Sequence, residues 1–200
     1  MTDKKLDAKR LAFIITFTLC SIGINYLGSV LAGLIAFPLY LDSVMTIAVT
    51  ALCGFIPGLI CAIGSNTLLY FFAHTGILFT ISHISTVVVA YVFFKHEEKS
   101  KLKNNRSFLH SSSCFMWIGF VAAITNSILG DTISAIFYRA NTSIPQVDNA
   151  VQGIYVVIRN LTVAAYIGGT LTNLVDKIIS AAVSYGVYMG VMKLRKKKIL

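Results

Sequence analysis

Charge is what this sequence has least of. Only 12% of its 200 residues are Asp, Glu, Lys or Arg. Glutamate is nearly absent, and its two copies, Glu97 and Glu98, stand side by side in a basic stretch. A soluble domain of this size needs more polar surface than that. Paired intramembrane glutamates are therefore excluded. So is P-loop nucleotide binding, because no G-x-x-x-x-G-K-[ST] occurs. Neither H-E-x-x-H nor G-x-S-x-G is present, and no other catalytic constellation is visible, so the chain is not expected to be an enzyme. The four cysteines, Cys20, Cys53, Cys61 and Cys114, form no C-x-x-C and no metal spacing with histidine. They read as packing residues, with no metal and no cofactor expected.

Apolar residues make up 56% of the chain, with a mean hydropathy of +0.76. They come in runs of about 20 residues, the length a bilayer-crossing helix needs. The first run follows a basic start, as in a signal peptide. It is too long for a signal h-region and has no small-residue cleavage site, so it reads as a span.

The net charge of +9 does not point to nucleic acid, since the basic residues do not gather on one folded face. Fourteen of the 17 lie in three clusters between apolar runs: Lys4 to Arg10, Lys95 to Arg106, and Lys193 to Lys198. The positive-inside rule puts all three clusters in the cytoplasm, beside anionic lipid heads.

The expected fold is all-α: a polytopic membrane protein with six transmembrane helices, both termini cytoplasmic, and an outer helical lid. Residues 1–10 form a cytoplasmic start. The first span covers about Leu11–Val30. Residues 31–41, stopped by Pro38, are expected to be an outer re-entrant or interfacial segment. The second span starts at Asp42 or Ser43, both good N-caps, and returns to about Cys53. Gly54, Pro57 and Gly58 make the inner turn. The third and fourth spans cover about Gly58–Phe72 and Ile77–Phe94. Residues 95–112 read as a cytoplasmic loop, Ser113–Phe137 as the fifth span, and 139–150 as an outer loop. Residues 151–172 are apolar enough to cross. A crossing there would put the basic tail outside, so they read as a lid interrupted at Gly168-Gly169. The sixth span is then Asn173–Met192, followed by a cytoplasmic tail over 193–200.

On this topology Asn25, Asp42, Asn66, His83, Asn126, Asp131, Arg159, Asp176 and Lys177 all fall towards the outer leaflet. The inner halves of the spans contain no Asp, Asn, His or Lys. Intramembrane polar groups are costly, so a one-sided set predicts a polar cavity opening outward. Asp42, Asp176 and Lys177, at helix ends, fit capping or snorkelling as well as ligand contact. Asn66, Asn126 and Asp131 lie deeper and fit a pocket role over helix–helix bonding. A lone histidine such as His83 is more often a satisfied polar group than a ligand.

Three stretches carry a resemblance. These are Pro38-Leu-Tyr-Leu-Asp42-Ser, the Gly54–Gly58 turn followed by Asn66, and Asp176-Lys177-Ile-Ile-Ser180. Together they resemble the substrate-binding S components of energy-coupling factor (ECF) transporters, over about residues 25–193. The resemblance implies capture of a vitamin or related small solute from outside, with Asp42, Asn66, Asn126, Asp131 and Asp176 as candidate contacts. It also implies delivery through a separate membrane scaffold subunit and two ATPase subunits. The family's A-x-x-x-A docking patch would correspond to Ala8 and Ala12. Two other readings stay open: a stand-alone ion-coupled transporter using Asp131 or Asp42, and a membrane sensor or assembly subunit. The short stretch after Met192 is expected to leave little room for an output domain.

Overall fold

The computed structural model describes residues 8–34, 37–104 and 110–196. It is helical, and its elements follow the apolar runs. Helix α1 covers Ala8–Ala32, α2 Thr46–Cys53 and α3 Phe55–Ala73. A 3-10 turn at Ile77–Phe79 runs into α4, Thr80–Lys103. Helix α5, Ser112–Asn126, passes through a π-turn at Ser127–Asp131 into α6, Thr132–Phe137. Helices α7, Pro145–Ile158, and α8, Leu161–Lys196, complete the chain. Among the described residues, five helical stretches are long and apolar enough to cross a membrane: α1, α3, the turn plus α4, α5 through α6, and α8.

The burial pattern is that of a chain whose solvent is lipid. On α1, Thr18, Ser21, Asn25 and Ser29 are buried, while Leu11, Ile15, Leu19 and Leu27 face outward. On α8, Asn173, Asp176, Lys177, Ser180 and Ser184 are buried, while Leu171, Val175 and Val183 are exposed. Lipid tails are as apolar as leucine, so small and polar residues drive helix association. Gly119 illustrates the closeness that results. A Cβ there would lie 2.7 Å from the Lys177 carbonyl oxygen and 2.8 Å from Ala181 Cβ, so α5 packs on α8 backbone to backbone.

Helix α2 sits inside the bundle, against α1, α3, α4 and α8. Residues Thr46 to Thr50 are all buried. It joins α3 through one residue, Gly54, whose φ of 98° is left-handed territory that glycine enters without strain. The Gly54 N–H donates to the Thr50 carbonyl at 3.1 Å and closes α2.

The two ends of the bundle differ. At one, the Arg195 guanidinium lies 4.4 Å over the Phe13 ring, which sets the end of α8 beside the start of α1. There Glu97 of α4 accepts from the Ser111 N–H at 3.0 Å and hydroxyl at 2.6 Å, and Tyr188 of α8 accepts from the His110 N–H at 3.0 Å. The described parts of the three basic clusters gather at this end. At the other, Gln146 Nε2 donates to the Gly33 carbonyl at 2.7 Å and Ser143 Oγ to the His74 carbonyl at 3.1 Å.

Four boundaries differ from the sequence expectation. Helix α2 begins at Thr46, with no side-chain cap, because Asp42 and Ser43 bond to Lys177 instead. Helix α3 begins at Phe55, since Pro57 falls in its first turn, where its missing N–H costs nothing. Helix α4 continues to Lys103 through part of the expected loop, supported by the i,i+4 pair Glu97–Lys101 at 2.9 Å. The lid is also arranged differently. Residues 145–158 are α7, the chain reverses at Arg159, whose φ is 59°, and α8 then runs unbroken through Gly168-Gly169. Those glycines do not interrupt the helix. They are where α7 and Asp131 press against it. Residues Ile35 and Ala36 of the expected re-entrant segment lie outside the described residues, as do Lys4, Lys5, Arg106, Lys197 and Lys198.

Candidate functional site: a polar cavity at the end away from the basic clusters

The segment 37–45 has no helix or ladder of its own, yet it lies within the bundle. Its backbone groups need partners from elsewhere. Asp176 Oδ1 accepts the N–H groups of Tyr40 at 3.0 Å and Leu41 at 2.7 Å. Asn25 Oδ1 accepts the Met45 N–H at 2.8 Å. Ser184 Oγ donates to the Val44 carbonyl. Lys177 then clamps the segment. Its ammonium donates to Asp42 Oδ1 at 3.0 Å, Ser43 Oγ at 2.7 Å and Asp176 Oδ2 at 2.8 Å. Neighbours in sequence on one helix, Asp176 and Lys177 are both buried, and each is paired.

A second network crosses the bundle below this clamp. Asn66 Nδ2 donates to the Ala62 carbonyl at 3.1 Å, which fixes the amide's orientation. The same nitrogen lies 2.5 Å from His83 Nδ1, so that ring nitrogen accepts and His83 Nε2 carries the proton. Nε2–H then donates to Thr46 Oγ1 at 2.7 Å, which also accepts from Asn25 Nδ2 at 2.9 Å. His83 is thus a neutral, buried link between α3 and α2. Asn126 ties α5 to α4: its Nδ2 donates to Thr86 Oγ1 at 3.0 Å and its Oδ1 accepts from Ser85 Oγ at 2.7 Å.

Asp131 is held differently. It ends the π-turn between α5 and α6, where the helix is wound one residue wider. Its carboxylate lies against Gly169, where any Cβ would overlap it. It is buried, and its hydrogen bond among the described residues is from Thr170 Oγ1 at 3.3 Å.

These groups surround a cavity with about 580 Å³ of empty space, part of it open to solvent. Asp42, Asn66, Asn126 and Asp131 line it, together with Lys177, His83 and Asn173. Tyr40 and Phe79 also line it, and Ser82 adds a buried hydroxyl without a hydrogen-bond partner among the described residues. Thr142 and Ile144 close the side under α7. That corner is held by Asp148, which accepts the Thr142 N–H at 2.7 Å and hydroxyl at 2.8 Å. Partial burial raises the Asp148 carboxyl above its usual range, against the lowering effect of those bonds.

Of the five expected contacts, four line the cavity and Asp176 stands behind it, bonded to backbone and to Lys177. Ala8 and Ala12 lie one turn apart at the far end of α1, both exposed. Tyr40, Phe79, Ser82 and Asn173 were not anticipated. Serine, tyrosine and phenylalanine are too common in membrane helices to signal a site, and Asn173 stood at an expected helix boundary. Among the described residues no group of three or more His, Cys, Asp or Glu is close enough to hold a metal ion. Comparison with family models, with characterised proteins and with solved structures finds no match to this chain.

Proposed function

We propose that this chain is the substrate-capture subunit of an ECF-type importer in a bacterial plasma membrane. In this reading it crosses the bilayer six times, with segment 37–45 and α2 together making the second, shortened crossing. Both ends of the chain face the cytoplasm with the basic clusters. A vitamin or related small solute enters from the outer face, between segment 37–42 and α7, and binds in the cavity. With no nucleotide-binding motif here, inward delivery depends on a scaffold subunit and two ATPase subunits, which dock near Ala8 and Ala12. The observation that carries this reading is the placement of the polar cavity. It opens at the bundle end away from the basic clusters and is lined by four of the five expected contacts.

A bound solute is retained only while access from outside is closed. The Gln146–Gly33 bond and the Ser143–His74 bond span the places where α7 and its preceding loop meet the rest of the bundle. The first test is native mass spectrometry of the protein gently extracted from its host membrane. One added small mass per chain, with a co-extracted scaffold–ATPase complex, is the expected result. A bare chain that binds nothing across a vitamin and nucleobase panel overturns the reading.

One observation favours a second reading, a stand-alone ion-coupled transporter. Asp131 is a buried carboxylate at a helix irregularity, the kind of place where coupling ions bind. Uptake into liposomes by this chain alone, abolished by an ionophore, would select it.

A further inference from the structure

Acidic side chains outnumber cations in and behind the cavity wall, and this bears on the class of solute. Three carboxylates, Asp42, Asp131 and Asp176, stand in or just behind its wall, against one ammonium, Lys177. An ammonium has three protons to donate. All three of Lys177's are committed, to Asp42, Ser43 and Asp176. It has no donor left for an anionic solute. His83 adds no charge, because one of its ring nitrogens accepts a hydrogen bond from Asn66. Arg139 and Arg159 are exposed and do not line the cavity.

Asp131 is the carboxyl left without a cation. Asp42 and Asp176 both reach Lys177, at 3.0 and 2.8 Å. Asp131 has no Lys or Arg partner among the described residues and holds one long hydrogen bond, from Thr170. A buried carboxyl with so little support is costly in its charged form, and it ionises at little cost only when a cation pairs with it. Beside it, Ser82 Oγ is buried, without a partner among the described residues, and 3.2 Å from where a Cβ on Gly130 would stand. A buried polar atom without a partner marks a place for a missing group. The Phe79 and Tyr40 rings also line the cavity, and the Lys177 ammonium already lies 6.0 Å over the Tyr40 ring, the contact an aromatic face offers a cation.

We propose that the cavity takes a solute bearing a protonated or permanently charged nitrogen, with the Asp131 carboxylate as its counter-charge and the Ser82 hydroxyl as a second polar contact. This rests on the capture reading and narrows it. Lys177 is a structural clamp.

The test uses the full chain in lipid nanodiscs, with choline and benzylamine as charged probes. Their neutral counterparts are 3,3-dimethylbutanol and benzyl alcohol, and benzoate is the anionic control. Binding is read by calorimetry, and any solute carried from the host membrane is identified by mass. The expected result is binding of the charged members only, and a carried solute with a basic nitrogen. Asp131→Asn, which keeps shape and loses charge, weakens binding about 10- to 100-fold, the range for a lost charge-assisted bond. Ser82→Ala weakens binding without lowering the melting temperature of the empty protein, since the hydroxyl it removes has no partner there. That second variant separates a site effect from a folding effect. Retention of a neutral or anionic solute, or unchanged binding in folded Asp131→Asn, overturns the charged-nitrogen assignment and leaves the capture reading standing. Binding of no probe and no carried solute overturns the charged-nitrogen assignment, and the capture reading falls with it when the vitamin and nucleobase panel also binds nothing.

Discussion

Lys177 has three protons and three acceptors, at 2.7 to 3.0 Å, and is 2% exposed. Such a group stabilises little when complete and costs much when broken. Lys177→Met leaves two carboxylates facing each other without a cation, and about 3–5 kcal/mol of stability is expected to go. Replacing Asp42, Asp176 and Lys177 together by Asn, Asn and Met is expected to cost less than the sum of the single changes, because no lone charge remains. Thermal melts of the purified variants in one detergent check both. His83→Phe belongs to the same scale. It keeps a ring but removes one hydrogen bond each from Asn66 and Thr46, at a cost of about 1–3 kcal/mol. A melt no lower than that of the native chain would show that the link does not hold α2 and α4 together.

At the scale of elements, α2 and α8 matter most. Helix α2 is only eight residues long, yet it packs against four other helices. Its length makes sense only because segment 37–45 is fastened by side chains from α1 and α8. Helix α8 supplies the clamp and meets the π-turn at Gly169. Gly169→Val is expected to push α8 off Asp131, because a Cβ there overlaps the carboxylate. Solute binding should be lost, with a lower melting temperature. Gly153, where a Cβ meets nothing within 4 Å, is the matched control, and Gly153→Ala should change neither. At α7, Gln146→Ala removes the bond to Gly33 and should speed both uptake and release of solute, read by stopped-flow exchange.

For the whole molecule, the decisive property is the difference between the two ends. Single cysteines at Ser100 and Ser143, introduced after removal of the four native thiols, test the membrane orientation. Ser143 should label with an impermeant thiol reagent in intact cells, and Ser100 only after the cells are opened. Labelling of both from outside would contradict a shared cytoplasmic location for the basic clusters.

The sequence by itself determined the material of this protein: apolar helices long enough to cross a membrane, with polar groups spaced along them. Those follow from run length and from the cost of charge in lipid, both properties of residues taken singly or in short windows. It also singled out Asp42, Asn66, Asn126 and Asp131, because polar groups in apolar helices are few. Only the tertiary structure decided which of the polar groups hold the fold and which face empty space. Asp176 and Asp131 are both acids in apolar helices, and the sequence sets them apart only by depth. One accepts two backbone N–H groups and an ammonium; the other accepts one hydroxyl. The same limit applies to Gly168-Gly169, which reads as a break until α7 and Asp131 are seen against it. A side chain's role is fixed by the partners within hydrogen-bonding reach. For Asp176 those partners lie 135 and 136 residues away in the chain, a separation that no local pattern encodes.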